Sequence, residues 1–267
     1  MPKIYDCITF YDENFLVNSR FEILNEVVDY FIIVESNYDH QGKKKSLNFK
    51  LENKKFEKKV KYIVHDEKNL CKIQNWEAEK LQREKLLLGL GDASSDDVIL
   101  FSDSDEIPNP KLLKNFHLKK KYAIFMQKFY VYKLNIYNEY ESPWEGTRAC
   151  KKKDLKSFSH LRKKILKKNI EKPFWKLHLE KNIEILNEGG WHFNNLYNIE
   201  QISKKIKTSP HQEFNDPRFY DKKIIQENIA ELRDLYGRKH NYKKVIIDKT
   251  YPDYFIKNLH KLYNYIL

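Results

Sequence analysis

The sequence predicts an α/β fold, with one domain built on a mixed, mostly parallel central sheet flanked by helices and a helical C-terminal part. Three observations carry this. Val98-Ile99-Leu100-Phe101 is a short, wholly apolar run between Asp96-Asp97 and the acidic stretch Ser102-Asp103-Ser104-Asp105-Glu106, as expected of a strand buried on both faces of a parallel sheet. The first 35 or so residues read strand, helix, strand, the size of a βαβ unit, which is right-handed by strong default. With 7 Gly and 8 Pro in 267 residues, no internal repeat and no break in composition, little chain is left for linkers.

Taken in order, Ile4-Tyr5-Asp6-Cys7-Ile8-Thr9-Phe10 reads as the first strand. Ser19-Arg20-Phe21-Glu22 has the form of a capping box and predicts a helix from there to about Val28. Tyr30 to Val34 is a second buried strand ending in Glu35-Ser36-Asn37, and Val60 to Val64 a third. Between them, Asp39 to Lys59 is polar and lysine-rich, a loop with a short helix. Trp76 to Leu88 is helical, ended by Gly89 and Gly91. After the acidic strand, which Pro108 and Pro110 should stop, Tyr122 to Leu134 alternates as antiparallel strands do. Ser142 to Arg148 reads as a turn before a short strand, and Arg162 to Lys172 as a basic helix or disordered loop. Ile183 to Leu186 leads to the strand Glu188-Gly189-Gly190-Trp191-His192-Phe193, whose glycine pair lets something approach closely. Helices are expected over Ile199 to Lys207, Asp221 to Tyr236 and Tyr254 to Tyr265.

Composition narrows the classes. Hydrophobic residues make up 41% and aromatics 14%, which excludes a disordered chain. Fifty Lys+Arg against 38 Asp+Glu give +12, favouring anionic partners such as sugar nucleotides, acidic glycans, nucleic acid or an anionic membrane, although a solvated lysine-rich face has the same composition. Cys7, Cys71 and Cys150 lie far apart without a CxxC pair, so neither a disulfide framework nor a zinc site is indicated. No run approaches the ~20 apolar residues of a membrane-spanning helix. The expected location is cytoplasmic, with room for peripheral contact at a membrane.

Open α/β sheets bind ligands at the carboxyl ends of their strands. Asp103 and Asp105 stand there, two apart, where both can reach one hard cation such as Mg²⁺ or Mn²⁺; a solvated acidic turn is the plainer reading. Glu35 ends a strand on the same rim. His192, exposed by the glycines before it, can complete a metal site with the two carboxylates, or can be a core histidine. Glu79 and Arg83 are i,i+4 partners, and Arg83 has the fork to hold a diphosphate.

Several phrases occur in a specific order: Phe10-Tyr11-Asp12-Glu13, Val28 to Asn37, Trp76-Glu77 with Gln82-Arg83, Phe101 to Pro108, Trp144 with Gly146-Thr147, Gly190-Trp191-His192-Phe193, and His211-Gln212-Glu213-Phe214-Asn215. Together they resemble glycosyltransferase family 17, whose animal members are the β-1,4-mannosyl-glycoprotein 4-β-N-acetylglucosaminyltransferases, over roughly residues 3 to 260. The resemblance implies a GT-A-like fold, a UDP-sugar donor (UDP-N-acetylglucosamine in animal members), a divalent metal and inversion at the anomeric carbon. This sequence shows neither the membrane anchor nor the lumenal stem of the animal members, which turns the expected acceptor from a glycoprotein towards a microbial or viral glycan.

The chemistry of the residues fits that expectation. A cation, Mn²⁺ or Mg²⁺, neutralises the leaving diphosphate, with Asp105 in direct contact, Asp103 on metal or donor ribose, and His192 as third ligand. Glu35, Arg83 and Trp191 are assigned to the donor and Trp144 to the acceptor; both tryptophans could instead be core. An inverting transfer needs a carboxylate base; Glu188 is ranked first because it adjoins His192, then Glu145 and Glu213. The nucleotide-sugar half is expected at about 1–110 and the acceptor half with the C-terminal helices at about 111–267. The acceptor is expected to be a glycan or lipid-linked saccharide, with Arg162 to Lys172 as a segment able to dock on an anionic membrane. The rivals are nucleotidyl transfer to a sugar phosphate, which would want a glycine-rich loop after the first strand, and nucleic-acid binding, for which no basic motif appears.

Overall fold

The computed structural model describes residues 2–39, 41–66, 75–208 and 211–267; Cys71 lies outside them. The elements are β1 (Ile4–Phe10), α1 (Asn14–Leu24), β2 (Tyr30–Ser36), β3 (Val60–His65), α2 (Asn75–Glu84), β4 (Val98–Asp103), β5 (Glu106–Pro108), α3 (Pro110–Leu113), β6 (Tyr122–Val131), β7 (Ile136–Tyr137), β8 (Trp144–Lys151), α4 (Phe158–Lys164), β9 (Ile183–Asn194), α5 (Ile199–Thr208), α6 (Pro217–Tyr220), α7 (Lys222–Ala230), β10 (Lys243–Lys244) and α8 (Asp253–Lys257).

One mixed sheet runs through the chain in the order β10-β7-β6-β8-β4-β1-β2-β3, with β9 beside β6 and β5 beside β9. Its N-terminal half, β3-β2-β1-β4, is parallel; β8 joins β4 antiparallel and β9 runs parallel to β6. The α/β architecture is the one the sequence predicts, with the short helices α5 to α8 gathered in the C-terminal part. The apolar stretches of β1, β2 and β4 explain the burial. One core lies on each face of the parallel half: Ile8, Phe10, Phe21, Phe31, Ile33 and Leu100 on one side, Cys7, Ile32, Val34, Ile99, Phe101 and Phe158 on the other.

Local readings changed in six places. The first helix begins at Asn14, not Ser19, because Ser19 and Arg20 are buried in its middle; Arg20 has an internal carboxylate to meet, and the capping box plays no part. Pro108 does not end pairing, since Glu106–Pro108 forms β5 against β9. Trp144 opens β8 rather than sitting in a turn. The 183–194 segment is one strand with an irregularity opposite Phe125 and Gln127. The helices expected at 221–236 and 254–265 are shorter, the latter continuing as two 3₁₀ turns.

The glycine pair does permit a close approach, but by backbone. A Cβ on Gly190, where φ is +132°, would stand 2.1 Å from Ile107 O, and one on Gly189 would stand 2.6 Å from Met126 N. No side chain fits there.

Candidate active site

The acidic turn is held from beneath. Arg20 of α1, fully buried, grips Asp6 of β1 through two nitrogens (Nε–Oδ2 2.5 Å, Nη2–Oδ1 2.6 Å). It also donates to Ser102 Oγ at 3.0 Å and to the Glu106 carbonyl. Ser102 Oγ meets Thr147 Oγ1 at 2.7 Å, and Gln127 donates to the same threonine at 3.1 Å. A buried charge pair satisfied this way is stiff, and removing one partner costs about 3–5 kcal/mol. The turn leaving β4 is therefore fixed to β1, α1, β6 and β8.

Glu106 organises the next layer. It is fully buried, accepts from Trp144 Nε1 at 2.7 Å and from Arg162 Nη2 at 2.9 Å, and takes the Asp103 amide at 3.2 Å. Arg162, carried by α4, also donates to Asp103 Oδ2 at 2.5 Å. Burial works against the Arg162 charge, but Asp103 and Glu106 outweigh it and raise its pKa. Asp103 is thus turned to an internal cation.

Asp105 faces elsewhere. Its Oδ1 lies 3.4 Å from His192 Nε2 of β9, and its Oδ2 lies 3.8 Å from Lys205 Nζ of α5. Burial alone would raise its carboxyl; the His192 ring and the Lys205 ammonium overcome this and hold it well below the usual carboxylate range. The His192 ring sits among aromatics, 4.3 Å from Phe129 and 5.1 Å from Trp144. Its Nδ1 is buried and has no hydrogen-bond partner among the described residues.

Behind the rim, Arg83 of α2 is buried, pairs with Glu79 at 2.8 Å and lies 5.4 Å over the Phe101 ring of β4. Arg83 Nε and Nη1 and Glu79 Oε2 are buried without partners among the described residues. Unmet buried donors on a guanidinium are uncommon, and they leave Arg83 with bonds to give. Burial lifts the Glu79 carboxyl above its ordinary value against the pull of Arg83, and Asp103 adds to the rise.

The structure brings together Asp103, Asp105, His192, Trp144 and, through the Arg162 cluster, Glu145. The three expected metal ligands do not converge. Among the described residues no three His, Cys, Asp or Glu side chains form a group able to hold a metal, because Arg162 claims Asp103. Asp105 and His192 remain a pair. Glu145 is held by Arg148 at 3.4 Å and by the Lys167 amide at 3.1 Å. Burial, with Arg162 adding repulsion, lowers Arg148 to about 10.

Four other assignments land away from this cluster. Glu35 is fully buried, with both oxygens taken by Lys45 Nζ (2.6 Å), the Asn48 and Phe49 amides (2.7 and 3.0 Å) and Tyr62 OH (2.8 Å); it anchors the 45–49 loop instead of a donor. Trp191 belongs to the core with Ile107, Tyr130 and Phe255, its indole donating to Thr250 O at 3.0 Å. Glu188 is exposed, at φ +50°. It lines a separate cleft of about 890 Å³ with Lys111, Lys114, Lys128 and Tyr254, one that includes neither Asp105 nor His192. Proximity in sequence misled because four residues of strand span roughly 13 Å. Glu213 is solvent-exposed and paired with His211 at 2.7 Å, a bond that lowers its carboxyl.

Glu106, Arg162 and Lys205 are the site residues that sequence reasoning missed. Glu106 stood inside the acidic stretch with apolar Ile107 after it, which hints at burial; Arg162 and Lys205 were hidden in lysine-rich runs.

Comparison with known proteins identifies the scaffold. The family model described as glycosyltransferase family 17 matches residues 1–254. No curated protein matches the chain. Among solved structures, glucosyl-3-phosphoglycerate synthase from Mycobacterium tuberculosis, in complex with Mn²⁺ and UDP-glucose, is 16% identical over 72% of this chain and 70% of that one, with a TM-score of 0.38. A glycosyltransferase involved in glycosylation of the major capsid of PBCV-1 is 13% identical over 70% of this chain and 82% of that one, with a TM-score of 0.33. With the family model covering nearly its whole length, the chain belongs to glycosyltransferase family 17.

Proposed function

We propose that this glycosyltransferase transfers a sugar from a UDP-sugar, with N-acetylglucosamine the favoured donor sugar, to a glycan or lipid-linked saccharide with inversion at the anomeric carbon. The observation that carries the site is the facing pair Asp105 and His192 at the carboxyl rim, buried and beside Lys205.

The pair fits a hard divalent ion in part. Asp105 offers a carboxylate held ionised by its neighbours, and His192 a ring whose second nitrogen has no partner among the described residues. Two protein ligands suit Mn²⁺ or Mg²⁺, which commonly fill their remaining positions with phosphate oxygens and water. When bound, the ion would neutralise charge developing on the leaving diphosphate. Asp103 would be free to join, or to take the donor ribose, only on release from Arg162.

The chain's own groups do the rest. Lys205, beside Asp105, is a cation able to bond phosphate oxygens, while Arg83 lies behind the rim and holds Glu79. Arg162 keeps Asp103 and Glu106 neutralised until donor arrives. The Trp144 ring, fixed by its bond to Glu106, offers a face for an acceptor sugar. For the base we favour Glu79, with one buried oxygen unpartnered and its carboxyl raised by burial, over Glu145, whose carboxylate is engaged by Arg148 and Lys167.

The test is a donor screen that measures nucleoside diphosphate release from UDP-, GDP- and dTDP-sugars, with and without Mn²⁺, and with oligosaccharide acceptors. UDP release dependent on Mn²⁺ supports the reading. Full turnover in EDTA, or release of a different nucleotide, contradicts it. Inorganic pyrophosphate release from a nucleoside triphosphate and a sugar phosphate would instead establish nucleotidyl transfer.

A further inference from the structure

Between α4 and β9 the chain makes a turn whose apolar side chains face outward. Phe174 is 81% exposed, Trp175 66% and Leu177 88%, so three of the most exposed large apolar side chains described lie within four residues. The turn is tied. Lys176 N donates to Pro173 O at 3.1 Å, Leu177 N to Trp175 O at 2.9 Å and Leu179 N to Lys176 O at 3.1 Å. Lys181 Nζ closes its base on the Lys172 carbonyl at 2.9 Å and on Pro173 O. The Phe174 and Trp175 rings pack edge to face, 5.2 Å apart. The tip is therefore a shaped apolar knob with no core to cover it, and folded proteins rarely leave such groups together in water without a partner.

Its surroundings are cationic. Residues 167–181 carry five lysines against Glu171 and Glu180, a net charge of +3. In the segment expected to dock, 162–172, Ile165 is buried in the core and Ile170 is partly exposed; the most exposed apolar residues lie just beyond it. Trp and Phe at the end of a lysine-flanked turn match the interface of an anionic bilayer, where rings settle at headgroup level and each lysine near the surface strengthens binding by about fivefold. A second copy of the chain fits poorly, since it would bring two such positive segments together in a chain of net charge +12.

We infer that the 173–177 turn is a membrane-docking element that inserts Phe174, Trp175 and Leu177 into the headgroup region of an anionic bilayer while Lys172 and Lys176 contact phosphates. The turn follows α4, which carries Arg162, after eight intervening residues; on the proposed transferase reading, docking would bring the enzyme to the surface that holds a lipid-linked acceptor.

The experiment is cosedimentation of the full chain with vesicles of phosphatidylcholine alone or with about 30% phosphatidylglycerol, without donor or acceptor, at low and high salt. The expected result is binding to anionic vesicles at least about tenfold stronger than to neutral ones, weakened by salt and reduced about tenfold or more by F174S/W175S/L177S at unchanged melting temperature. Brominated lipid should quench wild-type tryptophan fluorescence and quench W175F much less. The inference is overturned if the wild type stays in the supernatant, if the triple variant binds as the wild type does, or if sedimentation shows a dimer that the triple variant abolishes without any vesicle binding. Because donor and acceptor are absent, such failure leaves the transferase reading standing.

Discussion

Two strand ends on the same rim, those of β2 and β4, carry carboxylates that look alike in sequence and differ in what surrounds them. At the end of β2, Glu35 is fully buried and all of its acceptor capacity goes to the 45–49 loop and Tyr62. At the end of β4, the load is divided. Glu106 and Asp103 meet Arg162, while Asp105 keeps only a histidine at 3.4 Å and a lysine at 3.8 Å, too long for strong charge-assisted hydrogen bonds. A carboxylate at the end of a parallel strand is a candidate ligand when the local chain leaves it unfinished and a structural anchor when the chain completes it.

The largest effect should separate these two. Asp105→Asn should lower sugar transfer by about 10³-fold, the scale of losing a main electrostatic contact to the reacting group, with the melting temperature nearly kept. Glu35→Ala should do the reverse, costing about 3 kcal/mol of stability by leaving buried donors unpaired. Denaturant titration beside steady-state kinetics checks both. If Glu35→Ala folds normally and raises the KM for donor alone, the contrast collapses.

Next comes the base. Glu79→Gln should lower kcat by about 10²-fold with UDP affinity retained, and Glu188→Gln should act as wild type. A pH profile sharpens this. With the Glu79 carboxyl lifted above its ordinary value near 4.5, kcat should rise with pH through that elevated value, and this limb should vanish in Glu79→Gln. Stability should move the opposite way. The folded state holds the Glu79 proton more tightly than the unfolded one, so this group costs stability as pH climbs from 4.5 to its folded value, and Glu79→Gln should flatten that slope. A dead Glu145→Gln beside an active Glu79→Gln would transfer the role.

A smaller effect is expected from Arg162→Met. Freeing Asp103 should tighten Mn²⁺ binding to the donor-free enzyme by about tenfold, or ~1.4 kcal/mol, measured from the free-ion paramagnetic resonance signal. Unchanged or weaker binding would show that Arg162 does not compete with the ion.

Much of the fold was legible because its signal is local. The largely apolar stretches at 4–10, 30–34 and 98–101 read as buried strands, and each is one. The start of α1 was missed because Ser19 and Glu22 satisfy a capping pattern that ignores the buried Arg20–Asp6 pair formed between α1 and β1. Of the candidate site, Asp105 could be named from a strand end. His192 could be named only by reading a glycine pair as exposing its ring, whereas the ring is buried and the glycines make room for backbone. Arg162 could not, because only tertiary packing distinguishes one cation in a basic run from its neighbours. Glu188 failed for a related reason: closeness in sequence along a strand becomes distance in space.

The most direct test of the central claim is a crystal of the enzyme with UDP and Mn²⁺, located by anomalous scattering at the manganese edge. The account predicts one peak at the rim, about 2.0–2.3 Å from an Asp105 oxygen and from a ring nitrogen of His192, with the diphosphate within reach of Lys205. A peak elsewhere, or UDP bound while Asp105 and His192 contact neither ion nor nucleotide, would contradict it.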